Sequence, residues 1–180
     1  FADLVNDVGD LPTLDEVLEV ARRKSGNYTV RRPLEIGAAM AGCGDAMLTR
    51  LGAYGDAVGE AFQLRDDVLG IYGSPAVTGK PVGADLTEHK ATSVVVAAHQ
   101  MAGPALRRQL AELMNTADLD DADVVRCRTL IAETGAVARI EEMIAERLRR
   151  AAEWVDDGRL DGTVRSALLN MASVCTERAA

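Results

Sequence analysis

Aromatic side chains are scarce in this chain, with two Phe, three Tyr and one Trp in 180 residues. Its core must therefore be built from aliphatic groups. Cysteine is limited to Cys43, Cys127 and Cys175, far apart and without a CxxC spacing, which excludes a zinc-finger site and a disulfide framework. A reducing, cytoplasmic setting is expected. No run of about 18 apolar residues occurs and no charged segment precedes an apolar one, so neither a membrane span nor a signal peptide is read. Cationic residues are outnumbered, 20 Lys and Arg against 28 Asp and Glu, for a net charge of −8. Such a balance argues against nucleic acid as a partner, because a phosphate backbone needs a broad cationic surface. Any phosphate ligand must be bound locally, with help from a metal. Strand-type alternation is also missing, whereas Ala, Leu, Glu and Arg fill the long segments, so a single all-α domain over residues 1–180 is expected. The first residue is Phe1 and not Met, and the reading expects a part of a longer protein.

What is present is a series of helical patterns with clear punctuation. Residues 1–11 read as an irregular lead. Thr13 and Glu16 form a capping-box pattern after Pro12, which predicts a helix through Arg23. The polar stretch Lys24–Thr29 reads as a linker, and Pro33–Cys43, small and apolar nearly all round, as a buried helix. A long helix is predicted from Asp45 to Tyr72. Further helices follow over 91–101, 104–115, 137–155 and 164–176, and another begins among the acids of 118–123 and continues over 124–134. The acids Asp118, Asp120, Asp121 and Asp123 are read as negative charge at a helix start, not as a metal site. Arg147, with Glu141, Glu142, Glu146, Arg149 and Arg150, is assigned to water.

The long helix carries the chemistry. At about 100° per residue, Asp56, Gly59, Glu60, Gln63, Asp66, Asp67 and Gly70 share one third of its circumference. A stripe of acids is by itself an ordinary solvated face. Two neighbours point elsewhere. Gly59 and Gly70 lie on the same strip, each costing about 1 kcal/mol of helix propensity relative to Ala, as a close approach to the backbone would require. The following segment, residues 72–90, holds three glycines, two prolines and the lysines Lys80 and Lys90. Such a loop can return cations over the carboxylates. Paired acids facing lysines suit a polyphosphate bound through Mg²⁺, which takes hard oxygen ligands from one or two carboxylates and from the substrate itself.

The run Phe62-Gln63-Leu64-Arg65-Asp66-Asp67, followed by Thr78-Gly79-Lys80-Pro81-Val82-Gly83 and by Asp85-Leu86-Thr87-Glu88-His89-Lys90, resembles the second aspartate-rich region of trans-type polyprenyl diphosphate synthases. Upstream, Lys24-Ser25 with Tyr28-Thr29 and Pro33-Leu34 resembles the Lys-Thr region of the same family. The resemblance runs from about Leu11 to the end of the chain. It implies a helical bundle of the isoprenoid-synthase type around a central cavity, its N-terminal helices missing here, usually a homodimer and cytosolic. It also implies ionisation of an allylic diphosphate and attack by isopentenyl diphosphate, with Mg²⁺ assisting the leaving group. Transferred to this sequence, Asp66 and Asp67 are the metal-binding residues and Lys24, Lys80 and Asp66 the catalytic ones. Lys24, Ser25, Gln63, Lys80 and Lys90 are the substrate contacts.

Three departures stand beside the resemblance. Gly70 occupies the place where the family pattern often has a third aspartate, and Ser25 replaces a threonine while keeping the hydroxyl. No first aspartate-rich motif occurs in residues 1–180. An alternative reading follows from that last point: a non-catalytic subunit of a heteromeric synthase, or an inactive fragment. Retention of Asp66, Asp67, Lys24, Lys80 and Lys90 favours the enzyme.

Overall fold

The structure, a computed structural model, describes residues 11–156 and 158–177. The irregular lead expected for residues 1–10 lies outside them. All regular elements among the described residues are helical. They are α1 (Leu14–Ala21), a π-helix (Arg22–Arg31), α2 (Arg32–Met40), α3 (Asp45–Tyr72), α4 (Pro75–Thr78), α5 (Ala84–Thr87), α6 (Ser93–Met101), α7 (Pro104–Met114), α8 (Asp121–Glu133), α9 (Ala136–Val155) and α10 (Gly162–Thr176).

Local chemistry sets these boundaries. At α1 the Glu16 carboxylate accepts from the Thr13 amide at 2.8 Å, and Thr13 Oγ1 accepts from the Glu16 amide, completing the expected capping box. At α8 Asp120 and Asp123 form a second box. The acidic cluster at 118–123 therefore serves a helix start, as the sequence suggests. Thr92 caps α6 and Asp161 caps α10. Pro75 and Pro104 open α4 and α7, where a missing amide hydrogen costs nothing.

The chain packs as two units, whose boundaries fall inside α3 between Arg65 and Asp66 and inside α9 between Glu141 and Glu142. In the unit of residues 66–141, α8 packs against α5, α6 and α7. Leu86, Val94, Val96, Cys127, Ile131 and Ile140 are its buried aliphatic centre. Tyr72 joins α3 to α8 in two ways: its hydroxyl donates to the Arg128 carbonyl at 2.8 Å, and the Arg128 guanidinium lies over its ring. In the other unit, Leu51, Tyr54 and Val58 of α3 pack with Ala151 and Val155 of α9 and Leu168 and Ala172 of α10. Tyr54 is fully buried and its hydroxyl donates to the Leu168 carbonyl at 2.6 Å. Burial pushes the Tyr54 pKa strongly upward, so the phenol stays a neutral donor.

Three sequence expectations are corrected. Residues 24–29 are not a linker but the middle of the π-helix, continuous with helices on both sides. The helix after Pro33 has no buried residue, and Ile36 and Met40 are exposed. Composition alone cannot say whether an apolar helix finds a cover within the same segment of chain. Arg147 turns inward, with only 16% of its side chain exposed, because Glu60 draws it to α3.

Candidate functional site

Helix α3 runs for 28 residues, and Gln63, Asp66 and Asp67 all lie on it, as the periodicity predicts. The acids along it have unlike fates. Asp56 accepts from Arg31 Nη1 at 2.8 Å. Glu60 is buried and accepts from Arg22 Nε at 2.7 Å and from Arg147 Nε at 3.2 Å. The sequence reading left Glu60 without a role. No local signal marks it, because its partners Arg22 and Arg147 lie 38 and 87 residues away in the chain.

Asp66 and Asp67 differ as sharply. Asp66 is exposed, while Asp67 is buried with 7% of its surface accessible. Asp67 Oδ2 accepts from the Ser93 amide at 2.9 Å and from Ser93 Oγ at 2.7 Å. A carboxylate at the first turn of α6 satisfies amide groups that have no partner inside the helix and complements its dipole. The two aspartates expected to bind metal therefore sit in unlike surroundings. Asp66 presents its carboxylate outward, and Asp67 has one oxygen committed to holding α6.

Lys24 and Ser25 come from the π-helix. Lys24 is exposed; Ser25 is buried, and its hydroxyl donates to Gln63 Oε1 at 2.7 Å. That bond joins two motifs 38 residues apart in the chain. It depends on a close approach of backbones, since a Cβ on Gly59 would collide with Gly26 Cα and one on Gly55 would stand 2.7 Å from Arg31 Cα. Glycine on this strip of α3 is required by contact, as its propensity cost suggests.

Segment 73–92 is a loop stiffened by the single turns α4 and α5. Lys90 Nζ lies 2.8 Å from Asp85 Oδ1 and 2.6 Å from Glu88 Oε2. These two carboxylates push the Lys90 pKa well above its usual value. In turn Lys90, and more weakly Lys80, hold Glu88 below the usual carboxylate range. Lys90 thus sits against Glu88, while Lys80 acts on it only as a weaker nearby charge. Neither forms an ion pair with Asp66 among the described residues. Asp85 is buried, and its carboxylate fills the space where a side chain at Gly70 would begin. The missing third aspartate therefore has a steric cause: in this chain Asp85 enters that volume from the loop.

No group of three or more His, Cys, Asp or Glu converges among the described residues in a way that could hold a metal ion by itself. Mg²⁺ needs no such trio, since one or two carboxylates with substrate phosphate oxygens and water complete its shell. The outward Asp66 carboxylate fits that mode, and Lys24, Lys80 and Lys90 fit a phosphate.

These features define an all-α protein in which a carboxylate-bearing helix is packed against a wide-turned helix that carries lysine and serine. The family model described as polyprenyl synthetase matches residues 1–131. The chain belongs to that family. It is 36% identical over 138 residues to a geranylfarnesyl diphosphate synthase of Aeropyrum pernix, covering 77% of this chain and 42% of that protein. It is 35% identical over 145 residues to a geranylgeranyl diphosphate synthase of Mycobacterium tuberculosis, covering 81% and 41%. Among solved structures, a geranylgeranyl pyrophosphate synthase from Corynebacterium glutamicum, complexed with isoprenyl diphosphate and magnesium, superposes with a TM-score of 0.87 at 33% identity. It covers 93% of this chain and 47% of that one. The chain spans less than half the length of these relatives.

Proposed function

We propose that the protein to which this chain belongs condenses an allylic diphosphate with isopentenyl diphosphate, extending a polyprenyl chain with the help of Mg²⁺. The observation that carries this reading is the Ser25–Gln63 hydrogen bond, which ties the Lys24-Ser25 turn to the helix that continues into Asp66 and Asp67. Family membership supports it, as do relatives that are named as prenyl diphosphate synthases. In this reading the residues act within the C-terminal portion of one all-α fold. The whole protein works in the cytosol and as a homodimer. The exposed Tyr28, Ile36 and Met40 are consistent with apolar contacts that the remainder of the assembly supplies.

The roles follow from the chemistry of each group. The exposed Asp66 carboxylate would hold Mg²⁺, which when bound would supply positive charge to the departing diphosphate. Asp67 fixes α6 and with it the end of the loop that carries Lys90. Lys24 meets the allylic diphosphate as a point charge, beside Ser25 and Gln63. Lys80 and Lys90 bring positive charge to a diphosphate from the loop, Lys90 exchanging part of its pairing with Glu88 and Asp85 for phosphate oxygens. Charge that grows on the departing group is stabilised more in the transition state than before it, and this lowers the barrier.

In the full-length protein Asp66→Ala is expected to lower turnover of an allylic diphosphate with isopentenyl diphosphate by about 10²-fold or more, the usual scale for losing a preorganised electrostatic group. Because Asp66 is exposed, the melting temperature should stay near that of the parent. A variant with undiminished turnover in a steady-state assay would refute the assignment.

A further inference from the structure

Asp56, Glu60 and Gln63 of α3 all address one element, the π-helix. A π-turn usually appears as a single widened turn inside an α-helix, often at functional sites. Here it runs for ten residues and places the consecutive residues Ser25 and Gly26 both in the interior. Such a run has poor intrinsic stability, and its rotational phase decides where Lys24 and Ser25 are presented. It is fixed from outside at both ends. Arg31 at its C-terminus bonds Asp56 of α3 at 2.8 Å and Glu35 of α2 at 2.7 Å. Arg22 at its N-terminus bonds Glu60 at 2.7 Å and the exposed Glu19 at 2.9 Å. Between these pins Gly26 rests on Gly59.

Glu60 is the demanding member of this set. Only 10% of its side chain is exposed, and its two oxygens accept from different arginines, Arg22 on the π-helix and Arg147 on α9. A buried carboxylate is costly to desolvate and is tolerated when charge-assisted bonds occupy its lone pairs. Apolar packing would give comparable stability without the directional constraint. What the buried carboxylate adds is a fixed angle, since two guanidinium groups on two separate elements must both meet it.

We infer that Glu60 is a positioning residue of the proposed reaction: by holding Arg22 against Arg147 it sets the phase of the π-helix, so that Lys24 and Ser25 face the allylic diphosphate. Glu60 touches no substrate in this scheme and acts through the turn. The inference rests on the functional reading above and deepens it.

The test uses the full-length protein. Glu60→Gln keeps the shape of the side chain and removes the charge that draws both arginines. The expected result is a rise of about tenfold in KM for the allylic diphosphate, in line with the cost of a small misplacement of binding groups. KM for isopentenyl diphosphate should stay within about twofold. In a Ser25→Ala background the same change should add less than about twofold to the allylic KM, because groups that act as one unit are not additive. Arg22→Gln, on a side chain already half exposed, removes only the π-helix end of the clamp and should reproduce the allylic effect even if Glu60→Gln does not fold. An unchanged allylic KM in either folded variant overturns the inference, as does an equal rise for both substrates or full additivity with Ser25→Ala. A wild-type protein that forms no longer prenyl product overturns the functional reading, and this inference with it; active wild type with unaffected variants overturns the inference alone.

Discussion

Asp67 and Asp66 are adjacent residues of one helix, and the 100° between them separates a buried cap from an exposed carboxylate. Removing Asp67 leaves the Ser93 amide and hydroxyl in the interior without their acceptor. Asp67→Ala is therefore expected to cost about 1–3 kcal/mol of folding stability. Asp66→Ala should cost almost none, and paired denaturant titrations of the two variants distinguish them. Lys90 and Glu88 give a pH signature at the same scale. The Glu88 pKa is lowered from 4.5 by Lys90, so its stabilising contribution is present above about pH 4.5 and is lost as the pH falls through the depressed value. The Lys90 pKa is raised from 10.5, so its contribution is present below about pH 10.5 and is lost only above that. The melting-temperature difference between wild type and Lys90→Met should accordingly be flat from about pH 5 to 10 and shrink toward pH 3. A difference that grows on acidification would contradict the pairing. Both groups are largely exposed, so the plateau itself should be small.

At the scale of elements, α3 owes its contacts to what it lacks as much as to what it carries. Gly59 admits the π-helix, and Gly70 admits Asp85. The family pattern often has aspartate where Gly70 stands, so Gly70→Asp looks from sequence like a repair. The structure leads to the opposite expectation, because the new side chain would start inside the Asp85 carboxylate and add a like charge beside it. Overpacking of this sort costs about 1–3 kcal/mol. Displacing Asp85 also frees Lys90 from one of its two acids. Gly70→Asp in the full-length protein should reduce both the melting temperature and prenyl transfer, and a gain of activity would show that Asp85 yields its place without loss.

For the molecule as a whole, a net charge of −8 makes an anionic ligand dependent on local cations. Three lysines on separate segments do not offset that balance without a metal. Pyrophosphate binding to the full-length protein, followed by calorimetry, is expected to weaken by at least about tenfold when EDTA removes Mg²⁺. Metal-independent affinity would count against the proposed leaving-group site. Among the described residues no helix is long and apolar enough to cross a membrane. On α2, Ile36 and Met40 lie open, and the matched part of the chain spans 42% and 41% of the two curated relatives.

The longer helices, the Thr13–Glu16 cap and the polar strip of α3 were legible in the sequence, because apolar spacing and capping pairs act within a few residues of one another, whereas the short turns α4 and α5 and the caps at Thr92 and Asp161 did not stand out in it. The motifs around Gln63, Asp66, Lys80 and Lys24 were legible for the same reason, each being short and contiguous. Which acid binds which base was not. Glu60 and Asp66 stand at the two edges of one polar strip, about 120° apart on a helical wheel, and nothing in that pattern tells that one is buried between Arg22 and Arg147 while the other faces outward, since only folding brings residues 22, 60 and 147 to one point. The widened turn at 22–31 was hidden too, because its hydrogen-bond register is imposed by the glycines and acids of α3 and not by its own polar sequence. Local periodicity decides what a segment becomes; long-range ion pairing and backbone contact decide which of its charges remain available for chemistry.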